Sequence, residues 1–198
     1  MASGLPPRRI VLASASPRRK DLLENAGFEV IVRPADVEEI AGGMPARDLV
    51  EHNAVAKAAK VASATAGDLV LGADTIVLLE GEILGKPRDL DHAATMLGRL
   101  GGRTHEVLTG VCLMRGGGHA QCRFTETTRV SFRPLDREAI ISYIASVHTL
   151  DKAGAYAAQE DGGRLIERIE GSLENVIGLP VARVMEAIRN HFTEQAAG

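Results

Sequence analysis

The stretch GDLVLGADTIVLLEGEIL, Gly67–Leu84, reads as two strands around a turn at Glu80-Gly81. Its first strand is apolar or glycine at nearly every position, and Asp74 and Thr75 stand out. Alternation along a strand places Asp74 on one face with Gly72 and Ile76. A carboxylate seldom enters such a run without a partner. Asp74 is therefore a candidate ligand for a divalent cation or a general base that orients water. The structural alternative is a strand carboxylate paired with a lysine or a backbone N–H.

Moving toward the N-terminus, RRIVLASAS reads as a short buried strand, followed by a helix capped by Ser16 with Pro17 first and Asn25 and Gly27 near its end. Arg18 and Arg19 open that helix, where the exposed N–H groups and the dipole already carry positive charge. A bound anion reverses the sign of that arrangement, and Ser14 and Ser16 add hydroxyl donors. The stretch lacks the P-loop spacing; a solvated arginine pair over an ordinary cap is the alternative. FEVIVRPAD is a second strand, and Glu38 and Glu39 follow it. The next helix opens at Pro45 and runs to about Ala64, with Val50, Ala54 and Val61 on one face, Lys57 near the centre of that face and Asn53 one turn earlier. Lys57 either snorkels from the core edge or reaches an anion at a pocket wall. Glu38 or Glu39 with Asp74 makes a candidate magnesium site.

Past Leu84, Lys86 lies in a turn stiffened by Pro87. DLDHAATMLGRLGG is a helix with Leu90, Ala93, Ala94, Leu97 and Leu100 on its apolar face. Two extended segments, about 105–114 and 119–132, form a hairpin through RGGGH. LDREAIISYIAS is a helix, and LIERIEG is a strand. LPVARVMEAIRNHF is a closing helix with Val181, Val184, Met185, Ile188 and Phe192 along one face. Between them LDKAGAYAAQEDGGR reads as a functional loop carrying Lys152, Tyr156 and Gln159. Gln159 offers a donor and an acceptor to a base edge. Residues 193–198 are expected to fray.

Composition narrows the function. The 198 residues are 45% hydrophobic and 25% charged, which suits one compact domain, residues 1–198, with room for two lobes. A net charge of −3 and 3% aromatic residues argue against a nucleic-acid binder, so any anion recognised is small and held by local charge. No apolar run reaches the roughly 20 residues needed to cross a bilayer, and MASGLPPRR lacks a signal-peptide core; a cytoplasmic protein without membrane contact is expected. Cys112 and Cys122 flank one turn and are expected as free thiols. The six histidines show no zinc-binding spacing. Interleaved but irregular strands and helices imply an α/β fold, a mixed sheet with helices packed on it.

Taken together, LASASPRRKDLLENAGF, NAVAKA, GADTIVLLEGEILGKPRD, HEVLTGV, TTRVSFRPL, DKAGAYAAQ and IEGSLENVIGLP resemble, in order and over nearly the whole chain, the Maf family of nucleoside triphosphate pyrophosphatases. The resemblance implies an elongated mixed sheet flanked by helices, with a cleft between two lobes as in inosine triphosphate pyrophosphatases. It also implies a divalent metal, Mg²⁺ or Mn²⁺, and a possible homodimer. Carried residue by residue, it places the substrate contacts on Ser14, Arg18, Arg19, Lys57, Thr75, Lys86, Lys152 and Gln159. The general base falls on Asp74, helped in catalysis by Lys86 and Arg18, and the metal falls on Asp74 with Glu38 or Glu39. DKAGAYxxQ resembles the dTTP/UTP branch, although AAQE stands where that branch has GIQG, VHT where it has Gly-Glu-Pro, and Leu173 where it has tyrosine. The alternatives are a pyrophosphatase for 7-methyl-GTP or another modified nucleotide, and a non-catalytic nucleotide-binding regulator of cell division.

Overall fold

A computed structural model describes residues 8–65, 67–117, 121–160 and 162–192. The expected fraying of 193–198, the tip of the RGGGH hairpin and residues 1–7 of the MASGLPPRR stretch lie outside the described residues.

The run around Asp74 becomes an 11-residue, largely buried strand, β3 (Leu69–Leu79). It sits inside a mixed sheet with β1 (Arg9–Leu12), β2 (Glu29–Val32), β4 (Glu82–Leu84), β5 (Thr104–Arg115), β6 (Gln121–Phe132) and β7 (Ile166–Glu170). The strand order is β2-β1-β3-β5-β6-β7, with β4 also paired to β3. The β1 pairings are parallel and the others antiparallel. The turn joining β3 to β4 has Glu80 at φ 52° and Gly81 at φ 85°, the left-handed pair that matches strand twist in a two-residue hairpin.

One edge of β3 pairs with β5 from Leu69 to Leu78. The other pairs with β1 at Val70 and Leu71 and with β4 from Val77 to Leu79. Among the described residues, 73–76 meet no strand on that side. The sheet is therefore notched, and both faces of β3 open into the notch.

The helices are α1 (Pro17–Asn25), α2 (Ala46–Ala62), α3 (Leu90–Leu100), α4 (Arg137–Ser146), α5 (Leu173–Ile177) and α6 (Val181–His191). Side-chain caps at Ser16, Asp89, Asp136 and Ser172 start α1, α3, α4 and α5. The expected apolar face of α3 is buried at Ala93, Leu97 and Leu100, whereas Leu90, in the first turn beside the cap, is 54% exposed. The short α5 had no periodic signal, being barely one turn long. The loop at 150–160 contains two 3₁₀ turns, Ala153–Ala155 and Ala158–Glu160.

Helix α2 lies unusually close to the sheet. A Cβ on Gly72 would stand 2.2 Å from the Ala54 carbonyl oxygen, and one on Gly110 would stand 2.3 Å from that of Val50. Gly110 is the register partner of Asp74, so these glycines let the Lys57-bearing helix settle directly over Asp74. Cys112 faces α2 in one core cluster, and Cys122 packs into the cluster on the opposite face. Cys122 registers with Leu113 rather than Cys112, and the two are not joined in a disulfide. No described helix is long and apolar enough to cross a membrane.

Buried His105 on β5 donates to or accepts from the Tyr156 hydroxyl through Nε2 at 2.8 Å. Burial pushes its pKa down from 6.5 to about 4.

Two predictions follow from packing and burial. Gly72→Ala forces α2 off the sheet and is expected to lower the urea unfolding free energy by roughly 1–3 kcal/mol. Because unfolded His105 binds a proton that the folded state refuses, its contribution to stability is intact above pH 6.5 and falls as pH drops toward 4. The loss is about 3 kcal/mol, and His105→Phe should flatten that part of the profile when both proteins are unfolded in urea at each pH.

Candidate active site

Every residue of the notch is held by an element whose local sequence explains its place. β1 runs out at Leu12 into the small residues Ala13–Ser16, whose turn keeps Ser14 Oγ as an acceptor for the Ser16 N–H at 3.2 Å. Pro17 then starts α1, and Arg18 and Arg19 leave its first turn in different directions.

Arg19 is buried and spans three segments. Its Nη1 donates to Ser14 Oγ at 3.0 Å, its Nη2 to Thr75 Oγ1 at 3.0 Å, and its Nε to the Gly178 carbonyl at 2.9 Å. Thr75 in turn shares a hydrogen bond with Thr109 at 2.9 Å. Burial pulls the Arg19 guanidinium below its ordinary pKa, opposed by the charge of Asp74. Three of its five N–H groups thus hold the scaffold, leaving two for a ligand.

On the opposite face of β3, Asp74 is enclosed by α2. Its Oδ1 accepts from Lys57 Nζ at 2.9 Å and its Oδ2 from Asn53 Nδ2 at 2.9 Å. Lys57 also pairs with Glu39 Oε1 at 2.9 Å and donates to the Ala73 carbonyl at 3.4 Å. Asn53 additionally clamps the backbone N–H and carbonyl of Ile40, each at 3.0 Å. That clamp fixes the loop carrying Glu39 beside Asp74.

Arg18 Nη1 donates to Asp151 Oδ2 at 3.0 Å, and Lys152 Nζ donates to Asp151 Oδ1 at 2.8 Å. Partial burial raises the Asp151 carboxyl, but hydrogen bonds and charge from Lys152 and Arg18 outweigh it and leave the pKa below the ordinary value. Lys152 is also close to Glu160, at 3.8 Å. Lys86 and Gln159 are exposed on the rim, with no hydrogen bond or ion pair to a described residue.

These groups line one cleft of about 840 Å³, within the roughly 300–1,000 Å³ usual for small-molecule sites. Ser14, Arg18, Arg19, Lys57, Asp74, Thr75, Lys86, Lys152 and Gln159 all reach it, as does Glu39. Glu38 does not: it is exposed outside the lining, because the Asn53 clamp on Ile40 turns its neighbour Glu39 inward instead. Five cations and three carboxylates line the cleft, a local excess of positive charge in a chain of net charge −3.

The sequence model for Maf-like protein matches residues 9–191. The chain belongs to the Maf-like family. A dTTP/UTP pyrophosphatase of Anaeromyxobacter sp. (strain Fw109-5) is 48% identical over 185 residues, covering 91% of this chain and 88% of the relative. A dTTP/UTP pyrophosphatase of Desulfitobacterium hafniense (strain Y51) is 47% identical, covering 91% of this chain and 84% of the relative. Among solved structures, the Staphylococcus aureus Ham1 protein superposes with a TM-score of 0.51 at 18% identity, over 92% of this chain and 98% of that one. That likeness concerns the fold alone, and it is the mixed sheet with flanking helices expected from sequence.

Two residues of this Maf-like site had gone without a role. Asn53 carried a signal, since it lies four residues before Lys57 on the same helix face. Asp151 carried none, because nothing local shows that its loop returns to the start of α1.

The buried pair Lys57–Asp74 makes a stability prediction. Lys57→Met strands the Asp74 carboxylate and is expected to cost roughly 3–5 kcal/mol. The double variant Lys57→Met/Asp74→Leu should recover most of that loss in urea unfolding, since Glu39 is 54% exposed and can turn to water.

Proposed function

We propose that this chain hydrolyses nucleoside triphosphates, dTTP and UTP foremost, between the α- and β-phosphorus, releasing the nucleoside monophosphate and pyrophosphate. The observation that carries the reading is the cleft itself. One buried carboxylate, Asp74, is held on both oxygens in a site rich in cations, and relatives at 47–48% identity are dTTP/UTP pyrophosphatases.

The charges divide by role. Lys86, unengaged within the described residues, and Arg18, engaged through a single nitrogen, are placed to grip phosphate oxygens and the departing pyrophosphate. Lys57 is saturated by Asp74, Glu39 and the Ala73 carbonyl. It keeps the two carboxylates together and neutralises the charge of Asp74 by direct contact, a role different from the phosphate grip inferred from sequence. Asp74 accepts a proton from the water that attacks the α-phosphorus. The new P–O bond replaces the bridging bond to the β-phosphate, and the electron pair leaves on pyrophosphate.

Two adjacent carboxylates, with no group of three metal-binding side chains among the described residues, suit a magnesium or manganese ion that shares its ligands with substrate phosphates. Glu39 and Asp74 would hold it, and it would supply charge neutralisation and a more acidic water. Also in the lining, Gln159 would present its amide to the base edge, with Tyr156 as the wall.

The test is a panel of dTTP, UTP, 7-methyl-GTP and inosine triphosphate with Mg²⁺ or Mn²⁺, resolving monophosphate, pyrophosphate and orthophosphate. Equimolar UMP and pyrophosphate are expected, and Asp74→Asn is expected to lower kcat by about a hundredfold or more. Orthophosphate as first product, or tight binding without turnover, overturns the reading.

A further inference from the structure

The motif HEVLTGV, His105–Val111, supplies Gly110 and Thr109 to the packing already described, but its histidine serves neither. His105 is 1% exposed and does not line the cleft. Its Nδ1 has no hydrogen-bond partner among the described residues. A buried imidazole with an unpaired nitrogen is a costly way to fill space, and an apolar ring would fill it at lower cost. What His105 does is made by the other nitrogen, Nε2, at 2.8 Å from the Tyr156 hydroxyl.

Three rings lock this contact. His105, Phe132 and Tyr156 meet edge to face, with centroids 5.0, 5.4 and 4.9 Å apart. Tyr156 is the one of the three that reaches the cleft. It follows Gly154 and Ala155, whose φ values of 68° and 62° are both left-handed. A non-glycine residue seldom holds that conformation unless its surroundings impose it. They do so here. The Gly154 N–H donates to the Gly85 carbonyl at 3.1 Å, next to Lys86, and a Cβ on Gly154 would stand 3.0 Å from Val77. The Ala157 N–H donates to the Tyr143 hydroxyl at 3.0 Å. The turn is thus pinned on each side of Tyr156, and His105 pins the ring itself. Lys152 precedes this turn and Gln159 follows it.

We infer that His105 is a positioning residue for recognition of the nucleobase: from β5 it fixes the Tyr156 ring, and through it the wall against which Gln159 meets the base. The inference rests on the base-side reading of Tyr156 and Gln159 given above. It assigns to the HEVLTGV motif an effect on base affinity and none on phosphate binding, since the phosphate-side residues are anchored separately through Ser14, Thr75 and Asn53.

Calorimetric titration separates base recognition from phosphate binding. The probes are α,β-methylene-UTP, which carries the base, and inorganic tripolyphosphate, which does not. His105→Phe keeps the ring and removes the hydrogen bond, and Tyr156→Phe removes it from the other side. Each is expected to weaken α,β-methylene-UTP by roughly three- to tenfold, the worth of one hydrogen bond, with the Kd of tripolyphosphate unchanged. The double variant should be no weaker than either single one, and His105→Gln, which restores a polar group, should lie nearer wild type. With UTP as substrate, KM should rise and kcat hold. Unchanged affinity for the UTP analogue in both single variants overturns the inference, and so does an equal loss for tripolyphosphate. Should His105→Phe not fold, Tyr156→Phe decides alone. UTP hydrolysis by the wild type is scored separately: its absence refutes the proposed reaction, while the two affinities still decide the role of His105.

Discussion

The ammonium of Lys57, sealed against Asp74 and Glu39, is the contact on which the cleft is built. A carboxylate buried beneath a helix is tolerable only if its charge is met and each oxygen accepts a hydrogen bond. Lys57 and Asn53 supply both, one on each oxygen of Asp74, and leave one acceptor site on each oxygen. They can do so because α2 sits on Gly72 and Gly110 with no side chain between helix and sheet. The backbone glycines, the helix register and the charge pair are thus one constraint. The same Asn53 carries it outward to the loop at Ile40, so that the position of Glu39 follows from that of Asp74.

The notch in the sheet explains why one cleft holds residues from opposite faces of a strand. Asp74 faces α2, and Thr75 faces Arg19 and Thr109. In a continuous sheet these side chains would be separated by the neighbouring strand. β1 stops at Leu12 and the pairing with β4 reaches back only to Val77, so both faces turn around a free edge into the same space. The candidate site lies where the sheet fails to pair.

Much of this was legible in the residues. The alternation in β3, the turn at Glu80-Gly81, Ser16 and Pro17 at the start of α1 and the helical face centred on Lys57 are local signals, and each appears in the fold. Pairing across the chain was not legible. The reading of Asp74 offered a ligand or base on one side and a structural partner for lysine on the other; the structure gives it the lysine partner within the cleft, so the two are not alternatives. Glu38 and Glu39 were indistinguishable by sequence, because only the contact between Ile40 and Asn53, thirteen residues apart, decides which one faces inward. Asp151 escaped for the same reason at longer range, 133 residues from Arg18.

That long-range contact also resolves the oddity of two arginines where a helix dipole disfavours them. Arg19 is drawn inside, its charge spread over a hydroxyl pair and a carbonyl. Arg18 meets a carboxylate supplied by the protein, and Asp151 stays ionised because Lys152 holds its other oxygen. The anion that the helix start demands is therefore partly built in. Under the function proposed above, a triphosphate entering the cleft would compete with Asp151 for Arg18 rather than meet a bare cation. It does so with several charges against one, while Lys152 retains Asp151 when the exchange occurs. An arrangement of this kind pairs Arg18 within the protein and would still yield it to a ligand of higher charge, which is a physical basis for preferring triphosphates over singly charged anions.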